Sequence, residues 1–159
     1  MYEYRVSKYD PKHRDVYGCY LLNDWTSISD IGREFAGNVF TEAMYHKVET
    51  AYLDTAMAFI HECGVAAMHV KYLPDELSRP SRFKSGDTVQ LDEVRKIVCS
   101  LLREEYWCEL EAPDGTYISV GYDYLMAFGS PHPCIKWQSS AANSGLFVER
   151  VPLPYKSLS

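Results

Sequence analysis

Glu104, Glu105, Glu109, Glu111 and Asp114 fall within eleven consecutive residues, with Trp107 among them and Tyr117 and Asp123 close behind. Carboxylates set among Tyr and Trp on a rigid surface suit a meeting with a basic protein, because aromatic rings anchor an interface while charges steer the approach and select the partner. The candidate partner-binding set is therefore Trp107 and Tyr117, with Glu105, Glu109, Glu111, Asp114 and Asp123. A solvated face explains any single one of these acids better; the grouping carries the reading.

Other chemistry-bearing residues are sparser. His61 with Cys63 and His132 with Cys134 are the close His/Cys pairs, and neither is a two-residue-gap motif with a distant second pair, so zinc is not expected. In "HECGVAAMH" the second His falls eight residues after the first and beyond Gly64, too far for one helical face. His46 and Glu49 stand at i and i+3 and could pair as acid and base, although two solvated side chains are the commoner outcome. "SRPSRFKSG" gathers Arg79, Arg82 and Lys84 in what reads as a surface loop. The chain has no Gly-x-Ser-x-Gly elbow, phosphate loop or dinucleotide fingerprint, and neither a catalytic residue nor a cofactor is assigned.

The elements that must position the acidic cluster are a hairpin and two helices. In residues 106–122 the apolar set Tyr106, Cys108 and Leu110 must share a face with Ile118, Val120 and Tyr122. Facing residues then sum to an even number, which selects the three-residue loop Pro113, Asp114 and Gly115, with Gly115 left-handed. The expected pairs are 106 with 122, 108 with 120 and 110 with 118. Trp107 then faces Gly121, where an aromatic ring can shield strand backbone.

A helix is predicted over 41–63, capped by Thr41 and stopped by Gly64, with Met44, Val48, Ala51, Tyr52, Thr55 and Phe59 inward. A second is predicted over 91–105 on the stripe Leu91, Val94, Val98, Leu101 and Leu102. "YEYRVSKY" and "AAMHVKYL" read as strands, the latter with Met68, Val70 and Tyr72 on one face, and "LFVERVPL" as a last one. A helical turn is expected around 29–35, residues 74–87 read as a polar loop, and 131–145 as loop-like. The fold class is a single α+β domain over residues 1–159, a mainly antiparallel sheet whose hairpin packs against the two helices.

With 159 residues the chain has enough core to fold without a metal or a disulfide. A net charge of -6, with 16 basic residues scattered among 22 acids, disfavours nucleic acid and suits a basic partner. Thirteen tyrosines are an excess for this length. No basic-then-apolar leader and no membrane-length apolar run is present, so a cytoplasmic, non-membrane protein is expected. Five dispersed cysteines, an odd number, read as reduced core thiols.

The stretches "DWTSISDIG" (24–32), "KVETAYLDTAMAF" (47–59), "LREEYWCELEAPDG" (102–115), "VGYDYLMAFGS" (120–130) and "GLFVE" (145–149) resemble, in this order, a group of small bacterial proteins. That group is associated with immunity proteins of contact-dependent growth inhibition and related polymorphic toxin systems. The resemblance implies a non-catalytic protein that neutralises a cognate toxin domain, with a basic nuclease as the expected toxin, by stoichiometric binding. The residues carrying it are packing and turn residues. A small-molecule enzyme with a pocket between sheet and helices, and a regulatory interaction module without a toxin, stay open beside it.

Overall fold

Alternation in "YEYRVS" puts Tyr4 and Val6 on one face and Glu3 and Arg5 on the other, and the segment forms strand β1 (Tyr2–Ser7). The computed structural model describes residues 1–76 and 81–151. Arg79, and the continuation of the last predicted strand into Pro152 and Leu153, lie outside the described residues.

A short pair, β2 (Glu34–Phe35) and β3 (Asn38–Val39), precedes helix α1 (Glu42–Glu62). Then come β4 (Ala67–Lys71), β5 (Thr88–Gln90) and helix α2 (Leu91–Leu102). The second half contributes β6 (Glu109–Glu111), β7 (Tyr117–Val120), β8 (Met126–Ser130), helix α3 (Trp137–Asn143) and β9 (Phe147–Arg150). Seven strands form one sheet in the order β5-β4-β6-β7-β8-β1-β9, with every pairing antiparallel. The chain is an α+β fold whose helices pack on one sheet face. Phe59 of α1 stacks on Phe128 of β8, and Trp137 of α3 meets Tyr4, Phe59 and Phe128 edge-on.

The hairpin has the expected register. Glu109 faces Ser119, Leu110 faces Ile118 and Glu111 faces Tyr117, and Ala112 N donates to Thr116 O at 2.7 Å. Gly115, with φ of 93°, closes the three-residue loop by donating to Ala112 O at 2.9 Å. Beyond the Glu109–Ser119 pair the expectation fails: Tyr106 and Cys108 precede β6, so the expected 108–120 and 106–122 pairs are not in the ladder. Residues Tyr122–Tyr124 form a 3-10 turn in which Asp123 and Tyr124 take φ of 58° and 63°. The turn sends Tyr122 into solvent and gives its core place to Tyr124. A similar switch occurs at Tyr72, whose φ of 62° breaks the alternation of β4, so Leu73 is buried while Tyr72 faces out.

Thr41 caps α1 as expected, its Oγ1 accepting from Met44 N, but the inward stripe is turned. Tyr45, Glu49, Tyr52, Ala56, Phe59 and Ile60 are buried and Met44 is exposed. A charged residue on the inner face hid the true stripe. Helix α2 stops at Leu102 rather than near 105, because Glu104 adopts a φ of 58° and Glu105 N returns to Ser100 O. In the 24–40 region a Ser27/Asp30 capping box starts a 3-10 turn over Ile28–Asp30, whereas Glu34 and Phe35 belong to β2.

Strand β5 falls between the expected loop and the expected second helix, in residues given no element, and α3 lies within a segment that had read as loop-like. α3 depends on a remote group: the Glu62 carboxylate, at the end of α1, accepts from the backbone N–H of Ile135, Lys136 and Trp137 at 2.9, 3.0 and 2.7 Å. Burial opposes its ionisation, yet these three donors hold its pKa below the usual carboxylate value. Glu62→Ala is therefore expected to cost about 1–2 kcal/mol, as loss of a helix cap does. A lowered urea midpoint with unchanged slope would show it.

Candidate protein-binding surface

The pleat arranges the outer face of the sheet, opposite the helices, in two cross-strand rows. One reads Lys71, Glu109, Ser119, Ala127, Arg5 and Glu149, the other His69, Glu111, Tyr117, Gly129 and Glu3. Glu109 and Tyr117 are buried here and Glu111 is half-buried. Lys71 Nζ pairs with Glu111 at 2.7 Å, and the Tyr117 hydroxyl donates to Glu3 at 2.8 Å. The Tyr117 ring lies over Gly129, so the aromatic shielding of a strand glycine that had been expected of Trp107 over Gly121 occurs here instead. Asp114, in the hairpin loop, accepts from the backbone N–H and hydroxyl of Thr116. These four members of the acidic-aromatic set thus serve the sheet and its turn.

Trp107, Glu105 and Asp123 sit at the other end of the sheet, where β4 and β7 finish and β6 and β8 begin. The Trp107 ring stacks on Tyr72 at 6.5 Å, and its Nε1–H donates to Val120 O at 3.2 Å. Asp123 O accepts from the Tyr9 hydroxyl at 2.7 Å, and Tyr9 in turn packs on Tyr20 at 4.9 Å. Tyr20 is the base of a projecting loop at residues 14–22. Asp15 organises that loop: its Oδ1 accepts from Tyr17 N and Cys19 N, and its backbone closes on Cys19 O and Gly18 N. Arg14 fixes it to the sheet through two bonds to Glu149, at 2.6 and 2.7 Å. These bonds hold the loop's backbone, yet its tip is apolar: Val16 is 94% exposed and Tyr17 88%, with Leu21 and Leu22 also exposed.

No family model, curated protein or solved structure matches this chain. The site is accordingly read from its own geometry. The exposed groups at this sheet end make a discontinuous band: the Tyr72–Trp107 stack, the turn holding Tyr122, itself 87% exposed, and Asp123, and the Val16–Tyr17 tip of the loop that is joined through Tyr20 and Tyr9 to Asp123. Among the described residues five non-glycines have positive φ, and Tyr72, Glu104, Asp123 and Tyr124 of these lie at or beside this band. Strained backbone of this kind collects where a surface must hold a particular shape. Sequence reasoning had named Trp107, Glu105 and Asp123 as candidates and had not named Tyr72, Tyr122, Val16 and Tyr17, which the structure brings to the same sheet end. The one local signal for the tip was the apolar run "VYGCYLL" beginning directly after Asp15, with a glycine inside it.

Other sequence candidates have structural duties. Glu49 is buried, and its carboxylate accepts from Arg103 at 2.8 and 2.7 Å and from the Tyr45 hydroxyl at 2.7 Å. His46 Nδ1 stands 3.5 Å away. Arg82 pairs with Glu93 at 3.1 Å and, with Lys96, Ser100, Glu105 and Tyr106, lines an open polar cleft of 270 Å³. Among the described residues no group of three or more His, Cys, Asp or Glu is arranged to hold a metal ion, and no helix is long and apolar enough to cross a membrane.

Proposed function

We propose that this chain is an immunity protein that neutralises a cognate toxin domain by one-to-one binding, and that the aromatic band at the sheet end is its contact surface. The observation that carries the reading is the pairing of a preorganised loop with large apolar side chains held almost entirely in solvent. Surfaces of that kind mark protein interaction sites. Tyrosine and tryptophan on rigid backbone lose little entropy on binding, which makes them efficient anchors. The acids beside them, Glu104, Glu105 and Asp123, together with the net charge of -6, favour a basic partner such as a nuclease domain, whose substrate groove an acidic inhibitor can occupy.

The test is to co-express the polypeptide encoded immediately upstream with this protein, measure capture and growth rescue, and repeat with Tyr17→Ala/Trp107→Ala/Tyr122→Ala. All three side chains are exposed, so the variant is expected to fold and to bind at least tenfold more weakly, mainly through faster dissociation. Unaltered affinity would remove the band from the interface. Absence of any capture would remove the immunity reading itself. Charge reversal at Glu109 is a poor probe by comparison, since it would bury an ammonium in the outer face of the sheet.

A further inference from the structure

Residues 14–22 leave the body of the protein and return to it with little packing to hold them. From Arg14 to Cys19 no residue is buried, and Val16 and Tyr17 at the tip stand almost wholly in water. The neck is closed by an antiparallel bridge between Arg14 and Tyr20 and by Leu21 N donating to His13 O at 2.8 Å. The Tyr20 ring, 4.9 Å from Tyr9, and the Arg14 guanidinium, on Glu149 of β9, tie this neck to the fold.

Glu149 serves two arginines at once. Arg14 grips it with both terminal nitrogens, Nη1 to Oε1 at 2.6 Å and Nη2 to Oε2 at 2.7 Å, the short two-point geometry of a strong pair. Arg5, the residue facing Glu149 across β1 and β9, donates to the same two oxygens at 3.3 and 3.5 Å. The Arg14 bonds hold the Glu149 carboxyl below the usual carboxylate range against the opposing effect of burial, and Arg5 adds to their effect. One of the two cations thus belongs to the projecting loop and the other to the sheet.

That difference decides what opening costs. Pulling Arg14 away from a half-buried carboxylate would ordinarily strand the charge, and stranding is the expensive part of breaking such a pair. Here Arg5 already stands beside both oxygens and takes them by closing slightly. We propose that Arg14, Glu149 and Arg5 form a reversible latch: with Arg14 on Glu149 the Val16–Tyr17 tip is held in its projecting pose, and with Arg5 in its place the loop is released. Glu149 is then the positioning residue of the tip, and Arg5 sets how readily it lets go. The latch acts on the surface proposed above as the toxin contact, and its bearing on binding rests on that reading; the opening itself does not.

The test is limited chymotrypsin digestion of the folded full chain, with cleavage after Tyr17 followed by mass. At low protease the rate reports the population of the open loop. Tyr122, about as exposed but on a turn that Glu149 does not touch, is the internal reference against global unfolding. Glu149→Gln should raise the Tyr17 rate about tenfold relative to Tyr122, since the neutral amide loses the charged pairing, and Arg14→Met should do the same. Arg5→Met should instead lower it about threefold, because opening then leaves Glu149 without a cation. These opposite signs separate a latch from a merely structural cluster, in which every substitution loosens the loop. A Tyr17 rate unmoved by Glu149→Gln or Arg14→Met would overturn the proposal. So would Arg5→Met leaving that rate unchanged or raising it, which would make Arg5 no substitute for Arg14. All of these rates are read without a toxin, so loss of the immunity reading would leave the latch standing, and a failed latch would leave that reading to the band substitutions.

Discussion

Arg103→Met is expected to lower stability by about 3 kcal/mol at neutral pH and to reverse the contribution of Glu49 to its pH dependence. Arg103 donates from Nε and Nη2 to the two carboxylate oxygens of Glu49, which also accepts from Tyr45, and Tyr45 in turn accepts from the Tyr124 hydroxyl at 3.1 Å. The network joins α1, α2 and the 121–125 turn. Removing the guanidinium strands a buried carboxylate; because Arg103 keeps about a third of its side chain in water, the cost falls at the lower end of the range for breaking a buried pair. In the native fold, burial opposes ionisation of Glu49, but the bonds from Arg103 and Tyr45 outweigh it and its pKa lies below the usual value. A depressed folded pKa stabilises above the unfolded pKa, and that contribution is lost as the pH falls through the folded value, so the native pair weakens only in acid, below about pH 4. Without Arg103, burial dominates and raises the folded pKa. The variant then gains stability as the pH drops from 7 to 5, while the native protein gains none from this group. Urea midpoints at the two pH values decide the matter, and an equal deficit at both would show that Glu49 is not the stranded group. Glu49→Gln combined with Arg103→Met should recover part of the loss, since a neutral amide replaces the stranded charge.

The same network shows where the sequence was legible and where it was not. The hairpin register followed from parity and from Gly115, both local properties, and the ladder from 109 to 119 obeys them. The extent of α1 followed from Thr41 and Gly64, also local. Its inner face did not, because Glu49 reads as a surface residue until Arg103, 54 positions away, supplies the opposite charge. α3 is seven residues long, and its cap comes from Glu62, 73 to 75 positions earlier, so no window around 137–143 contains the reason it is helical. The site divides the same way. Acids and aromatics near 104–123 were visible as a group, but the positive φ at Asp123 and Tyr124 sends the strand into a turn, and cross-strand neighbours bury Glu109 and Tyr117. Alternation within a single strand carries no information about either.

Gly129→Ala tests that cross-strand arrangement directly, with an expected loss of about 3 kcal/mol, near the top of the range for overpacking. A Cβ at this position would overlap Tyr117 Cε1 and stand 2.7 and 2.8 Å from Cδ1 and Cζ. The obstacle is the body of an aromatic ring, and the ring is tethered at its far end by the bond to Glu3, on the strand beyond Gly129. It cannot swing aside without breaking that bond, nor can β8 retreat, because its other face carries Phe128 into the core against Phe59. In a Tyr117→Ala background the obstacle is gone. There Gly129→Ala should cost nothing and can gain about 0.5–1 kcal/mol, the usual advantage of Ala over Gly within a strand. The double-mutant cycle should therefore show a coupling of about 3 kcal/mol between residues on neighbouring strands. An equal cost in both backgrounds would mean that the glycine is needed for its own backbone and not for the ring. With coupling of the expected size, Tyr117 belongs to the sheet rather than to a partner, and its replacement should alter the affinity of the sheet-end band only as far as it unfolds the protein.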